Sequence, residues 1–195
     1  WGVSGNELVY LAAVADGDEL GFVVSDGSFN FFGRKTTDLN LTNGTTYRIV
    51  VTIAFGSPPT IHIYVNGVDK SLVEFIGSSN VTQSIDSPGP GTVQVGHESR
   101  EGIDGIEGDY SEFAIWQRVL TSLQADEFTI RNRFPYCCGP TGLLYLPMTD
   151  TTTLTDQWGG VIATLTDGSN ATHPEMSVCG GPSPFFTTVG AKRMV

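Results

Sequence analysis

Short apolar runs that end in turn signals fill most of the first 117 residues, and this pattern constrains the fold more than any other feature. Residues 7–15 and 19–25 flank Asp16-Gly17-Asp18, a sequence typical of a hairpin turn. Residues 60–65 lead into Asn66-Gly67, which favours a two-residue turn with positive φ at both positions. Because such runs are short for helices, the pattern predicts an all-β chain of antiparallel strands.

Further strands are predicted where the same pattern returns, at 28–32, 46–55, 91–96, 109–117, 142–148 and 160–165. Apolar and polar residues alternate in 46–55, so that Ile49, Val51 and Ile53 share one face and Thr52 lies on the other. The expected core has Trp116 at its centre and contains Ile49, Val51, Ile53, Ile63, Val65, Phe113, Ile115 and Trp116.

One short helix is predicted after these strands. Thr121-Ser-Leu-Gln124 matches a capping box, and the helix is expected to end near Ile130. The segment 134–140 contains two prolines and cannot continue a helix. We therefore predict a sandwich domain at 1–134, a linker at 135–140 and a strand-bearing C-terminal extension at 141–195.

The charge of the chain limits its partners. A formal net charge of −11 argues against nucleic acid, because phosphate binding needs clustered lysine and arginine. No apolar stretch approaches the roughly 20 residues of a membrane span. The chain opens at Trp1 without a basic segment, and we expect any signal peptide to lie outside this sequence.

Four N-glycosylation sequons indicate an extracellular protein. They lie in turn-like sequence and begin at Asn40, Asn43, Asn80 and Asn170. The alternative is chance, since a threonine-rich chain generates such triplets freely. We therefore expect a secreted glycoprotein that carries N-linked glycans at these asparagines.

Three cysteines are also compatible with an oxidising compartment. Cys137 and Cys138 are adjacent, and adjacent cysteines rarely bond each other because the joining peptide strains the ring. We expect one of them to pair with Cys179, which leaves the other as a free thiol or as a bond to another chain. The sequence contains no C-x-x-C pair, so a structural zinc site is not expected.

Two segments resemble laminin G and pentraxin-like domains. The first is Tyr47-Arg-Ile-Val-Val-Thr-Ile with Ile61-His-Ile-Tyr-Val-Asn-Gly-Val-Asp-Lys70, which is similar to the central hairpin of those domains. The second is Val93-Gln-Val-Gly96 with the run from Gly108 to Thr121, which is similar to their closing segment. The resemblance implies an antiparallel two-sheet jelly-roll sandwich of the concanavalin A-like type. Another antiparallel sandwich with similar strands is the alternative.

The resemblance also implies that part of the domain is displaced. Residues 143–150 and 156–165 look like the opening strands of the family, but they follow the helix. Either the domain is circularly permuted, or these strands complete a neighbouring subunit. A plain C-terminal extension and the start of a second domain are the other interpretations.

A calcium site is the cofactor that the resemblance implies. Pentraxin-like modules hold calcium in the loop that follows the strand at 93–96, and Glu98 matches an acidic ligand there. Arg100 stands where the family pattern has an acid, so the expected site is a single one formed by Glu98 and Asp104. The alternative is a solvated acidic loop.

Catalysis is not expected. Jelly-roll glucanases use closely spaced carboxylates, but Glu101, Asp104 and Glu107 are three residues apart and would alternate between the faces of a strand. His62 is expected to be an exposed sheet residue, and no serine or cysteine lies in motif spacing with any histidine.

The sequence therefore predicts a non-enzymatic extracellular adhesion or structural module. We expect it to form homo-oligomers or filaments through strand exchange, since an incomplete sandwich exposes an apolar edge. The alternative function is a calcium-assisted lectin domain that binds carbohydrate.

Overall fold

The computed structural model describes residues 2–3, 7–14, 18–26, 31–77, 108–110, 112–116, 118–131, 142, 144–146, 153–158, 162–164, 168–172 and 190–194. The chain forms two compact units, Trp1–Ile106 and Glu107–Val195. The division into a domain at 1–134, a linker at 135–140 and an extension at 141–195 stays a prediction.

The first unit contains eight described strands in two antiparallel sheets. In chain order they are β1 (Gly2–Val3), β2 (Glu7–Val14), β3 (Glu19–Asp26), β4 (Phe31–Thr36), β5 (Ile49–Ala54), β6 (Thr60–Val65), β7 (Val68–Asp69) and β8 (Leu72–Gly77). The larger sheet has the order β1-β2-β3-β4-β8, and the smaller sheet has the order β5-β6-β7.

The core of this unit lies between the two sheets. Apolar side chains of β3 and β4 pack against those of β6 in one buried cluster, which consists of Leu20, Phe22, Val24, Phe32, Ile61, Ile63 and Val65. Residues of both sheets share this cluster, so the sheets pack face to face as a sandwich. The predicted all-β antiparallel sandwich is therefore confirmed, whereas permutation or donation of the C-terminal strands stays a prediction.

Local turn signals specify the hairpins of this unit. Strands β2 and β3 pair in register from Glu7↔Asp26 to Val14↔Glu19, as the sequence predicts. Asn66 and Gly67 adopt φ values of 49° and 84°, which confirms the turn between β6 and β7. Such local signals act within a few residues and do not depend on the rest of the fold.

Two strands of the larger sheet differ from the sequence prediction. The strand expected at 28–32 is found at Phe31–Thr36, and β8 at Leu72–Gly77 was not predicted. These two strands pair with each other, with a register shift at Gly33/Arg34. Their positions follow from this long-range pairing, which no local pattern encodes.

The predicted core is only partly correct. Ile63 and Val65 are buried, at 0% and 3% exposure, but Ile49, Val51 and Ile53 are only partly buried against the core cluster. On the opposite face of β5, Val50 and Thr52 are buried instead, at 7% and 5% exposure. Alternation in sequence distinguishes the two faces of a strand, but it does not say how completely each face is covered.

The second unit contains seven described strands and one described helix. They are β9 (Gly108–Tyr110), β10 (Phe113–Ile115), α1 (Ser122–Thr129), β11 (Leu144–Leu146), β12 (Thr153–Thr155), β13 (Ile162–Thr164), β14 (Gly168–Thr172) and β15 (Gly190–Met194). The strands form antiparallel groups β10-β11, β12-β13 and β14-β15-β9. No helix in the described part of the chain is long and apolar enough to cross a membrane.

The capping box of the helix is confirmed. The Thr121 hydroxyl accepts a hydrogen bond from the backbone N–H of Gln124, and the Gln124 side chain accepts one from the Thr121 backbone N–H. The helix is capped at its end by Ile130, as expected. Local sequence is therefore sufficient to predict both ends of α1.

The strand expected at 109–117 is divided into β9 and β10. Between them Glu112 has a φ of 55°, in the left-handed region that a non-glycine residue rarely adopts. Phe113, Ile115 and Trp116, which follow it, are partly buried, so Trp116 is not a fully buried core centre as predicted. The strand predicted in 142–148 is present as β11, and it pairs with β10 of the same chain.

Candidate binding cleft

An open cleft of about 350 Å³ lies at one end of the larger sheet of the first unit. Three neighbouring strands and one loop form it, and the residues that line it are Asp18, Glu19, Lys35, Thr36, Thr37, Asn40 and Val73. They meet because β3, β4 and β8 are neighbours, so that Lys35 pairs with Gly21 on one side and with Val73 on the other. Residues distant in sequence thus share one surface.

A largely buried hydrogen-bond network connects two residues that line the cleft, Glu19 and Thr36. Thr36 has 0% exposure, and its hydroxyl accepts from the Leu20 backbone N–H at 3.1 Å. The same hydroxyl donates to Glu19 Oε2 in a short hydrogen bond, and Leu39 N–H donates to that oxygen at 3.4 Å. Glu19 therefore joins β3 to the loop after β4, which makes it a structural carboxylate.

Two charged groups of opposite sign remain for a ligand. Among the described residues, no hydrogen bond or ion pair occupies the Asp18 carboxylate or the Lys35 ammonium. Nearby cations are engaged, since Arg34 lies 3.6 Å from Glu74 and Lys70 lies 3.7 Å from Asp38. A carboxylate and an ammonium in one cleft can accept and donate hydrogen bonds to the same small polar molecule.

An exposed aromatic residue lies beside the cleft on the outer face of the sheet. Phe75 is 37% exposed, and Val73, two residues earlier on β8, is 43% exposed. A Cβ at Gly21 would lie 3.3 Å from Phe75 Cε1 and 2.9 Å from Val14 Cγ1, so glycine is needed for this close approach. The ring therefore packs over the glycine, next to the row of residues that contains Lys35.

The loop between β4 and β5 carries two of the predicted sequons. Leu41 N–H donates to the Asp18 carbonyl at 2.9 Å, which holds the first part of the loop on the edge of the cleft. In the second part, the hydroxyls of Thr42 and Thr45 lie 2.9 Å apart, and the Thr42 N–H donates to the Tyr47 hydroxyl at 3.0 Å. Hydrogen bonds with the Thr42 hydroxyl and backbone lower the pKa of Tyr47.

A second group of polar side chains lies within the second unit. The Tyr145 hydroxyl donates to Glu112 Oε2 at 2.5 Å, and Asp156 Oδ1 accepts from the backbone N–H of Tyr145 and of Trp158 at 2.7 and 2.9 Å. Glu112 and Asp156 are 6% and 3% exposed. These carboxylates are buried and engaged with the chain itself, so they hold the fold together and do not face a ligand.

The tryptophans of the second unit pack against each other. The rings of Trp116 and Trp158 lie 5.4 Å apart in an edge-on arrangement, and Trp158 lies 5.3 Å from the ring of Tyr145. A Cβ at Gly142 would lie 2.5 Å from Trp158 Cζ3, so a glycine is required beneath the pair. This cluster attaches the segment around β11 to the strand before the helix.

The remaining titratable pair of the first unit lies on its smaller sheet. His62 Nδ1 lies 2.8 Å from Asp69 Oδ2, and the His62 ring stacks on Tyr64 at 6.0 Å. Both members of the pair have side chains with 45% exposure, which agrees with the expectation of a surface histidine. Just before β5, burial lowers the pKa of Arg48, whose Nε has no hydrogen-bond partner among the described residues.

The predicted site residues are only partly placed by the structure. Asn40 and Asn43 are exposed in the β4–β5 loop, as a glycan requires. Asn170 lies within β14 rather than in the expected turn, because residues 168–172 pair with β15. The other predicted positions lie outside the described residues: Asn80, Glu98, Asp104, Cys137, Cys138 and Cys179.

The carboxylates considered for catalysis, Glu101, Asp104 and Glu107, also lie outside the described residues. Within the described residues, no group of three His, Cys, Asp or Glu side chains is placed to hold a metal ion. The calcium site at Glu98 and Asp104 therefore stays a prediction.

Sequence reasoning did not identify the cleft. The sequence places Asp18 only in a predicted hairpin turn, and neither Lys35 nor Phe75 belongs to a motif. The only available signal was the pattern of exposed apolar and charged residues on β4 and β8, and its use requires knowledge that these strands are neighbours.

Residues 2–125 match a laminin G family model described as the concanavalin A-like lectin/glucanases superfamily. The match covers more than half of the chain, and the chain belongs to this family. It agrees with the two packed antiparallel sheets of the first unit. Searches of curated proteins and of solved structures found no significant match.

Proposed function

We propose that the protein is a non-enzymatic extracellular adhesion module that recognises carbohydrate on the outer face of its larger sheet. The observation that carries the proposal is the position of exposed Phe75 beside a cleft that offers Asp18, Lys35, Thr37 and Asn40. Members of the family fold include lectins, which supports a saccharide as the ligand class.

The chemistry of the surface suits a sugar. An exposed aromatic ring provides a flat apolar surface on which the C–H face of a pyranose can stack. The carboxylate, ammonium, hydroxyl and amide groups of the cleft can donate to and accept from sugar hydroxyls. A volume of about 350 Å³ is at the lower end of ligand pockets, which run from roughly 300 to 1,000 Å³. The cleft therefore suits a short saccharide.

A glycan array of Asn40→Gln protein, which carries no glycan at the cleft, followed by NMR titration of the best saccharide tests this function. Phe75→Ala and Lys35→Ala should each weaken binding about tenfold, which corresponds to about 1.4 kcal/mol. Val68→Ala removes an apolar residue of 55% exposure from the other sheet, and it should bind like the parent. If no saccharide binds, or if the three variants bind alike, the proposal is wrong.

Self-assembly is the second candidate function. Among the described strands β8 is outermost in its sheet, and it exposes Val73 and Phe75. An exposed apolar edge strand can pair with another chain. Pairing of β8 with β8 of a second copy closes as a dimer, whereas pairing of β8 with a different edge is head-to-tail and produces a filament. Donation of β11 to a neighbouring subunit would first require its pairing with β10 to break.

Analytical ultracentrifugation without added sugar distinguishes the two candidates. An assembling protein sediments as a concentration-dependent series, and Phe75→Lys should reduce it to one species. A parent protein that stays a single small species over a hundredfold concentration range would rule out self-assembly through β8 and leave carbohydrate binding unaffected.

The proposal also includes secretion of the protein, with N-linked glycans and a disulfide bond. The four sequons and the match to a laminin G family support secretion. Mass spectrometry of secreted protein should find N-linked glycans at the sequons and, without reduction, a bond between Cys179 and one of Cys137 and Cys138. Unmodified asparagines throughout would remove the main support for secretion.

A further inference from the structure

Asn40 is held at the edge of the cleft by the residues on both sides of it. Leu39 N–H donates to Glu19 Oε2 at 3.4 Å, and Leu41 N–H donates to the Asp18 carbonyl at 2.9 Å. Asp18 and Glu19 both line the cleft, so both tethers end in its wall. Asn40 itself has a φ of 49° and an exposed side chain. The first asparagine of the double sequon is thus fixed at the site where a saccharide is proposed to bind.

Asn43, only three residues later, has different surroundings. It lies in a turn with Gly44, and a Cβ placed on Gly44 would meet no atom within 4 Å. Asn43 does not line the cleft. Of the two asparagines in this loop, Asn40 therefore lies at the cleft and Asn43 lies in open solvent.

We propose that an N-linked glycan on Asn40 folds back so that its first N-acetylglucosamine occupies the cleft. The proposal rests on the sugar-binding chemistry of the proposed function. Lys35 and Thr37 are available to the acetamido and hydroxyl groups, and Val73 supplies an apolar wall. The cleft of a glycosylated chain is then filled by its own sugar, and a free saccharide has to compete with it.

Tethering favours this arrangement even if the cleft binds a free sugar weakly. A short flexible linkage gives an effective concentration on the order of millimolar, so a cleft with a dissociation constant of about 0.1 mM for the sugar is about nine-tenths occupied, which corresponds to about tenfold competition. A glycan on Asn43 begins in open solvent, outside the cleft, and gains nothing from the site. The same glycan structure should therefore be protected at Asn40 and exposed at Asn43.

Site-resolved deglycosylation of the native secreted protein tests the inference. Native peptide-N-glycosidase should release the Asn40 glycan from Asn43→Gln protein at least about tenfold more slowly than it releases the Asn43 glycan from Asn40→Gln protein. Adding Lys35→Ala to Asn43→Gln should speed release at Asn40. Equal release rates in the two single variants, or an Asn40 that carries no glycan in Asn43→Gln protein, would overturn the inference.

Titration with N,N′-diacetylchitobiose separates this inference from the proposed function. Asn40→Gln protein should bind the disaccharide about tenfold more tightly than Asn43→Gln protein, in which the cleft is already filled. Equal affinity of the two variants would overturn the inference and leave carbohydrate binding intact. Absence of binding of any array saccharide to Asn40→Gln protein would reject the lectin function, and protection of the Asn40 glycan would still support docking of the glycan.

Discussion

The hydrogen bond between Tyr145 and Glu112 connects the segment around β11 to the strand before the helix, and its removal tests that connection. The two side chains are 4% and 6% exposed, and their oxygens lie 2.5 Å apart. A buried hydrogen bond to a charged group contributes about 1.5–3 kcal/mol to stability. Tyr145→Phe keeps the ring and its contact with Trp158, so it removes this hydrogen bond with little change in packing.

We expect Tyr145→Phe to lower the free energy of unfolding by about 1.5–3 kcal/mol. In a Glu112→Gln background the acceptor is neutral, and the same change should cost only about 0.5–1.5 kcal/mol. The double-mutant cycle then gives a coupling energy of about 1 kcal/mol. Equilibrium unfolding in urea, followed by the fluorescence of the three tryptophans, measures all four proteins.

A matched control comes from another tyrosine. The hydroxyl of Tyr47 makes hydrogen bonds in an exposed loop, so Tyr47→Phe should change stability by no more than about 0.5 kcal/mol. A Tyr145→Phe protein as stable as Tyr47→Phe, or a coupling energy of zero, would show that the segment does not pack against Glu112 as described.

Three further predictions concern the core, a glycine and the calcium hypothesis. Ile63→Ala, at a position with 0% exposure, should lower stability by about 2–5 kcal/mol in urea, and Val68→Ala should lower it by less than about 0.5 kcal/mol. Gly142→Ala places a Cβ against the Ile115 carbonyl oxygen and should cost about 1–3 kcal/mol; an unchanged melting temperature would refute this contact. If calcium binds at Glu98, added Ca²⁺ should raise the melting temperature of the parent and not of Glu98→Gln, whereas equal responses would place any calcium elsewhere.

Local sequence was sufficient wherever an element is specified by its own residues. The turn at Asn66-Gly67 follows from the low cost of positive φ at asparagine and glycine. The start of α1 follows from the reciprocal hydrogen bonds of Thr121 and Gln124. The hairpin of β2 and β3 follows from two apolar runs and the turn between them. These features, together with the family resemblance, were enough to predict an antiparallel sandwich.

Only the tertiary structure determined which strands are neighbours and therefore where the cleft lies. β8 carries Glu74 and Phe75 next to β4, although about forty residues separate the two strands in sequence. The left-handed Glu112 interrupts a run that reads as one strand, and its carboxylate meets a tyrosine 33 residues later. Asn40 reads as one sequon among four, and only the tethers at Leu39 and Leu41 place it at a groove. The apolar pattern of a sequence predicts which face of a strand is buried and where the chain turns. The free energy of pairing between distant strands decides which strands are neighbours, and therefore which residues lie on one surface.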